Sequence, residues 1–202
     1  MNAPVMMGDP MMDESDLARA DVYALLSRLL FAAPDAALLA LLRQMEREGA
    51  EAVTLAWNAL CTEADDAVRI ADEYAALFVS IGHPLVEQYA SWYLTGFLME
   101  KPLALLRDDL AALGLSRQDG RTDPEDHIAG ELEVMRHLVM RGEPALQQRF
   151  FRNHLQPWYG AFCIALASAA DARFYKAVAV FMQAFLDMEG DYFRLQADGG
   201  VR

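Results

Sequence analysis

Residues 123–142 read Asp-Pro-Glu-Asp-His-Ile-Ala-Gly-Glu-Leu-Glu-Val-Met-Arg-His-Leu-Val-Met-Arg-Gly, and this stretch carries the strongest helix signal in the chain. Asp123 has the side chain of a helix N-cap, and Pro124 suits the first helical position. Glu125 and Asp126 place negative charge at the positive end of the helix dipole. Ile128, Leu132, Met135 and Leu138 then recur at helical spacing as far as Arg141, where Gly142 acts as a stop. The pattern predicts a helix over 123–141.

Working upstream, the same periodicity repeats. Leu17, Val22, Leu25, Leu26, Leu29 and Leu30 make a first amphipathic helix, stopped by Pro34. Asp35 caps a second that carries Leu38, Leu41, Leu42 and Met45 and closes at Gly49. A third covers Ala50 to Thr62, and a fourth runs from Asp65 through Ile70, Tyr74, Leu77 and Phe78 to Gly82. After a loop at His83-Pro84, Ser91 caps a short aromatic helix, Trp92 to Met99, and Pro102 opens another that ends near Leu113-Gly114. Ser116 to Asp123 is a polar loop. Downstream, helices are predicted over Glu143–Leu155, Pro157–Ala169 and Asp171–Leu195. No alternating strand pattern and no fixed-period repeat stands out. The expectation is an all-α, single-domain bundle of about nine helices over residues 15–195, with a disordered N-terminus at 1–14 and a frayed tail at 196–202.

Composition narrows the function. Of 202 residues, 54% are hydrophobic and 23% charged, enough to build a core and too apolar for a disordered chain. The formal charge is −13, from 30 acidic and 17 basic side chains. Such a surface repels a phosphate backbone and favours a partner with exposed basic residues. Two cysteines, Cys61 and Cys163, are too few for a disulfide framework or a four-thiolate metal site, and read as buried reduced thiols. Met1 to Ser15 holds Met6, Met7, Met11 and Met12 but no Lys or Arg, unlike a secretory signal, and no Arg-Arg pair occurs. The longest apolar stretch, Trp158 to Ala170, is shorter than the roughly 20 residues a spanning helix needs. A cytoplasmic protein without an integral membrane segment is expected.

Candidate chemistry is sparse. No glycine-rich phosphate loop is present. His127 and Glu131 lie four apart and share a helix face, but a metal would need a third ligand; His137, ten residues beyond His127, reads as facing away from it. Asp126 beside His127 could tune a base, although adjacent helical residues diverge by about 100°; as a structural element Asp126 simply serves the dipole. The aromatic residues Tyr74, Phe78, Tyr89, Trp92, Tyr93 and Phe97 combine apolar area with polar handles, which suits either a core or a binding groove.

Three segments, in order, resemble the TorD/DmsD/NarJ-like family of redox-enzyme maturation chaperones. The first is Tyr74-Ala-Ala-Leu77-Phe78 with Gly82, Pro84 and Tyr89-Ala-Ser91-Trp92-Tyr93-Leu94. The second is Pro124-Glu125-Asp126-His127-Ile128 with Glu131, Met135 and Leu138. The third is Phe151, His154-Leu155, Pro157-Trp158 and Phe162, then Phe174-Tyr175. The resemblance spans about Leu17 to Leu186, and the Pro-Glu-Asp-His element is its most specific part. It implies a non-enzymatic, all-helical chaperone that binds the leader, expected to be of twin-arginine type, or the apo form of a molybdoenzyme catalytic subunit. Clients would be of the dimethyl sulfoxide or trimethylamine oxide reductase or formate dehydrogenase type, with nitrate reductase also open. The chaperone would assist molybdenum cofactor insertion and delay export, needing no cofactor of its own. The leader-binding residues implied are Leu77, Phe78, Pro84, Tyr89, Ser91, Tyr93, Asp126 and His127, with Asp126 contacting leader arginines; Tyr89 and Tyr93 stand where some relatives have Trp. Two alternatives stay open: a helical metal-dependent enzyme using His127 and Glu131, and a structural partner whose groove is a homodimer interface.

Overall fold

The structure, a computed structural model, describes residues 13–79, 83–116 and 123–199, with side chains to 196. The expected N-terminal disorder at 1–12, the stop at Gly82, the body of the 116–123 loop and the last three residues of the tail lie outside the described residues. What is described is all-helical. Ten α-helices follow one another: α1 Glu14–Phe31, α2 Ala36–Leu42, α3 Ala52–Glu63, α4 Ala67–Phe78, α5 Ala90–Thr95, α6 Lys101–Ala112, α7 Ile128–Met140, α8 Pro144–Phe150, α9 Tyr159–Ser168 and α10 Phe174–Gly199. A π turn, Phe151–Leu155, extends α8.

Two packings organise the bundle. α1 lies along α7, and the Ser27 hydroxyl donates to the Ala129 carbonyl at 2.9 Å. α10 packs against α3 and α9, and its Phe181, Phe185 and Met182 are buried with Trp57, Tyr23 and Leu166. Tyr23 and Phe185 meet edge to face with centroids 4.9 Å apart. Cys61 and Cys163 are buried and free, and burial pushes their thiols up to about 11 and about 12, so neither is a reactive thiolate.

Local capping follows the sequence at α2 and α4, where Asp35 accepts from Leu38 N–H at 2.8 Å and Asp66 from Val68 N–H at 3.0 Å. The start of α10 is capped from far away in sequence. The buried Glu73 carboxylate, on α4, accepts the Arg173, Phe174 and Tyr175 backbone N–H groups at 2.8, 3.1 and 2.7 Å. Arg69 pairs with the same carboxylate at 3.2 Å. Glu73 thus satisfies the first N–H groups of the longest helix and ties α4 to it.

Several boundaries differ from the sequence expectation: α2 ends at Leu42 and not at Gly49, α10 runs on to Gly199 through the first part of the tail expected to fray, and the ends around residues 89–99 and 123–128 move as well. α7 begins at Ile128, not at Asp123, because residues 88–90 and 126–128 form an antiparallel bridge that holds His127 extended. Ala90 N–H donates to the Asp126 carbonyl at 2.9 Å, and Ile128 N–H to the Gln88 carbonyl at 2.8 Å. His127 therefore becomes the N-cap, its Nδ1 accepting from Ala129 N–H at 3.1 Å. α5 starts one residue before Ser91 and stops at Thr95, where Gly96 adopts φ 82°. The Trp92–Met99 helix is shortened to that point, leaving 96–99 as a bent segment.

Candidate functional site

The bridge between Tyr89 and His127 positions everything around it. It brings the start of α5 against the turn before α7, and Gly130 lets that turn fold back onto the first turn of α7: a Cβ there would sit 3.2 Å from the Glu125 carbonyl oxygen. Behind the bridge, Asp126 is only 1% exposed, and its Oδ2 accepts Ser91 N–H at 2.9 Å, so it serves as the remote cap of α5. Its Oδ1 and the Ser91 hydroxyl are both buried with no hydrogen-bond partner among the described residues.

In front of the bridge lies a groove of about 640 Å³ between α1, the end of α6 and α7. Its apolar lining comes from Ala24, Phe31, Leu110, Leu115 and Val134, and Asp123, Glu125 and Glu133 supply carboxylates. Phe31 and Tyr89 both lean on the His127 ring, with centroids 6.5 and 5.2 Å away. The Tyr89 hydroxyl donates to Asp123 Oδ1 at 3.3 Å, and burial, then the Asp123 charge, pushes that phenol up to about 12. Tyr74 donates to the Phe31 carbonyl at 2.8 Å, and burial and the Asp123 charge raise it too. Phe78 follows behind Tyr74, with centroids 5.0 Å apart. Arg107 pairs with Glu125 at 2.7 Å, Arg28 with Asp35 at 2.7 Å and Arg136 with Glu133 at 2.6 Å.

The eight residues singled out by sequence divide. Only His127 lines the groove; Tyr89 adjoins it through the His127 ring and Asp123, and Phe78 lies behind Tyr74, which reaches the Phe31 carbonyl. Ser91 and Asp126 form the buried layer behind. Leu77 is fully buried and its carbonyl accepts Val86 N–H at 3.1 Å. Tyr93 stacks on Trp158 at 5.5 Å, and its hydroxyl donates to the Glu87 carbonyl at 2.9 Å. Pro84 sits half-buried in the loop after α4. Phe31, Glu125, Glu133 and His137 were not singled out as binding residues; no local pattern marks the first three, because only the packing of α1, α7 and the turn before α7 gathers them. For His137 the helical arithmetic was available. Ten residues advance about 1000°, which leaves it only about 80° from His127, and both line the groove. The expectation that it faces away is corrected.

His127 and Glu131 do not act together. Glu131 is 1% exposed, its Oε2 accepts from the Trp158 indole N–H at 3.0 Å, and it lines a second cavity instead of the groove. Burial, reinforced by the Asp126 charge and opposed by the Trp158 N–H, holds its carboxyl well above the ordinary range. Among the described residues no group of three or more His, Cys, Asp or Glu could hold a metal ion. No helix among them is long and apolar enough to cross a membrane.

The chain is similar to the chaperone protein TorD of Photobacterium profundum, 26% identical over 159 residues that cover 72% of this chain and 74% of the relative. It is likewise similar to TorD of Vibrio atlanticus, 27% identical over 150 residues, covering 68% and 70%. A redox enzyme maturation protein from Archaeoglobus fulgidus has the same fold, with a TM-score of 0.54 over 93% of this chain and 98% of that one, at 21% identity. A family profile described as nitrate reductase delta subunit matches residues 36–164, a span that holds α2 to α8 and all eight residues above. The match covers well over half of the sequence, and the chain belongs to the nitrate reductase delta subunit family, the TorD/NarJ family of chaperones.

Proposed function

We propose that this protein is a cytoplasmic chaperone for the catalytic subunit of a molybdoenzyme, and that the groove in front of the Tyr89–His127 bridge receives the client's leader. A leader of twin-arginine type carries basic residues followed by an apolar stretch. Its receptor needs an apolar floor and nearby carboxylates, and the groove offers both. That pairing is the single observation on which the reading rests. Phe31, Val134 and Leu110 would take the apolar part, while Asp123, Glu125 and Glu133 would meet the arginines. Tyr89 and His127 would set the groove's edge, Tyr74 and Phe78 its continuation. Asp126, turned inward onto Ser91, would hold the bridge in place and so shape the groove from behind. The chain would retain the apoprotein until the client's molybdenum cofactor is inserted and would delay export meanwhile. The similarity to TorD chaperones supports this role, and the net charge of −13 suits a basic leader.

The test is to tag the protein, express it in its host and identify what co-purifies by mass spectrometry. A molybdoenzyme catalytic subunit with its leader attached is the expected result. Recovery of such a subunit with the leader already removed would move binding away from the groove. Recovery of no molybdoenzyme subunit would overturn the chaperone reading.

A further inference from the structure

A second surface lies on the other faces of α6 and α7. Where α5 stops at Gly96, the chain presents Phe97, Leu98 and Met99 in succession, with Phe97 69% and Met99 72% exposed. Leu94 and Leu105 extend this apolar ledge on either side. The segment is built, not loose. The Thr95 hydroxyl donates to the Ser91 carbonyl at 2.8 Å and accepts Phe97 N–H at 3.3 Å. Met99 is held at φ 59°, a conformation a side-chain-bearing residue keeps only when its surroundings impose it.

The ledge borders a cavity of about 510 Å³ that Leu94, Pro102 and Leu105 line on the apolar side. Buried Glu131 lines it as well. Trp158 uses only Oε2, and Oε1 has no hydrogen-bond partner among the described residues. Asp108 lines the cavity exposed and makes no ion pair among the described residues, whereas Asp109 is engaged by His154 at 2.8 Å and by Arg149. Arg152 contributes one exposed cation to the lining. A buried acid with an unused oxygen beside an apolar shelf is matched by an aliphatic chain ending in a cation, since the stem covers the shelf and the arriving charge offsets the burial that raises the acid's proton affinity, drawing it into the carboxylate form. A second copy of this chain is disfavoured as occupant, because two surfaces of charge −13 repel.

We propose that the Leu94–Met99 ledge and the Glu131 cavity form one docking surface for an apolar segment of the client polypeptide that carries a lysine or arginine, separate from the leader groove. The occupant rests on the chaperone reading; the surface itself does not.

The test uses the full chain and fluorescence anisotropy with a dye-labelled synthetic Leu/Ala peptide bearing one central Lys, against the same peptide with norleucine in place of Lys. The wild type should bind the Lys peptide about tenfold more tightly. Phe97→Asp with Met99→Asp should lose at least about tenfold for both peptides. Glu131→Gln, which keeps an acceptor for Trp158, should make the two peptides equal. Phe31→Asp in the groove should change neither. Equal wild-type affinities, loss through Phe31→Asp, or a dimer in sedimentation that Phe97→Asp disperses would each overturn the proposal. The leader peptide titrated in parallel separates the two readings. Leader binding without a Lys preference removes only this surface. A Lys preference without leader binding removes the client as its occupant.

Discussion

Glu73 and Asp126 are both buried carboxylates that cap a helix remote from them in sequence, yet they are satisfied very differently. Glu73 uses both oxygens: three backbone N–H groups at the start of α10 and the Arg69 guanidinium converge on it. Asp126 uses one oxygen, on Ser91 N–H, and leaves the other orphaned beside an orphaned hydroxyl. Leaving a buried acceptor unmade costs about 1–3 kcal/mol, so chains keep few such groups, and those they keep tend to lie at sites that do something. Glu73 sits where the bundle is held together. Asp126 sits one layer behind the groove, where the bridge must form but the helix need not be maximally stable.

The comparison breaks if removing the two acids has the same effect. Glu73→Ala uncaps α10 and strips the part-exposed Arg69 of a buried partner, and should cost about 3 kcal/mol in chemical denaturation. Asp126→Ala loses one helix cap but also removes the orphaned oxygen. It should cost only about 1 kcal/mol while weakening leader binding through the displaced bridge. Equal losses of stability would mean that Asp126 is as structural as Glu73.

Glu131, the third buried acid, sharpens the point through pH. Its folded carboxyl lies well above its ordinary value of 4.5, so above about that pH the unfolded chain releases the proton first. Stability from this group is therefore complete in acid and falls as pH rises toward the folded value. Glu131→Gln should flatten that fall, so that its melting temperature declines less than the wild type's as the pH is raised from acid to neutral. The smallest effect is expected at Ser91→Ala. Deleting a buried hydroxyl that has no partner among the described residues should leave stability within about 0.5 kcal/mol or raise it, whereas a clear loss would reveal a partner for that hydroxyl.

Periodicity alone was enough to read the helical class, the α1 and α6 segments and the end of α7, because those depend on apolar spacing and on Pro and Gly punctuation near the helix itself. The start of α7 was not legible. Asp123-Pro124-Glu125 has every local feature of a helix start, and a tertiary bridge to residues 88–90 overrides it. The Ser91 cap failed for the same reason, since its acceptor arrives from Asp126, 35 positions later in the chain. At the groove, Tyr89 and His127 could be singled out through family resemblance. Phe31 could not, because a phenylalanine at the end of an amphipathic helix looks like core until α1 is laid along α7. Periodicity did contain the shared side of His127 and His137, and a correct count of helical turns would have found it.

The most direct test of the central claim is titration of the co-purified client's leader peptide into wild type and into two groove variants, Phe31→Asp and the Glu125→Gln/Glu133→Gln pair, with melting temperatures recorded alongside. A groove that receives the leader predicts affinity lower by about tenfold or more in both variants, ~1.4 kcal/mol, with near-native melting temperatures and full affinity retained in the ledge variant Phe97→Asp. Unchanged affinity in both groove variants would contradict it.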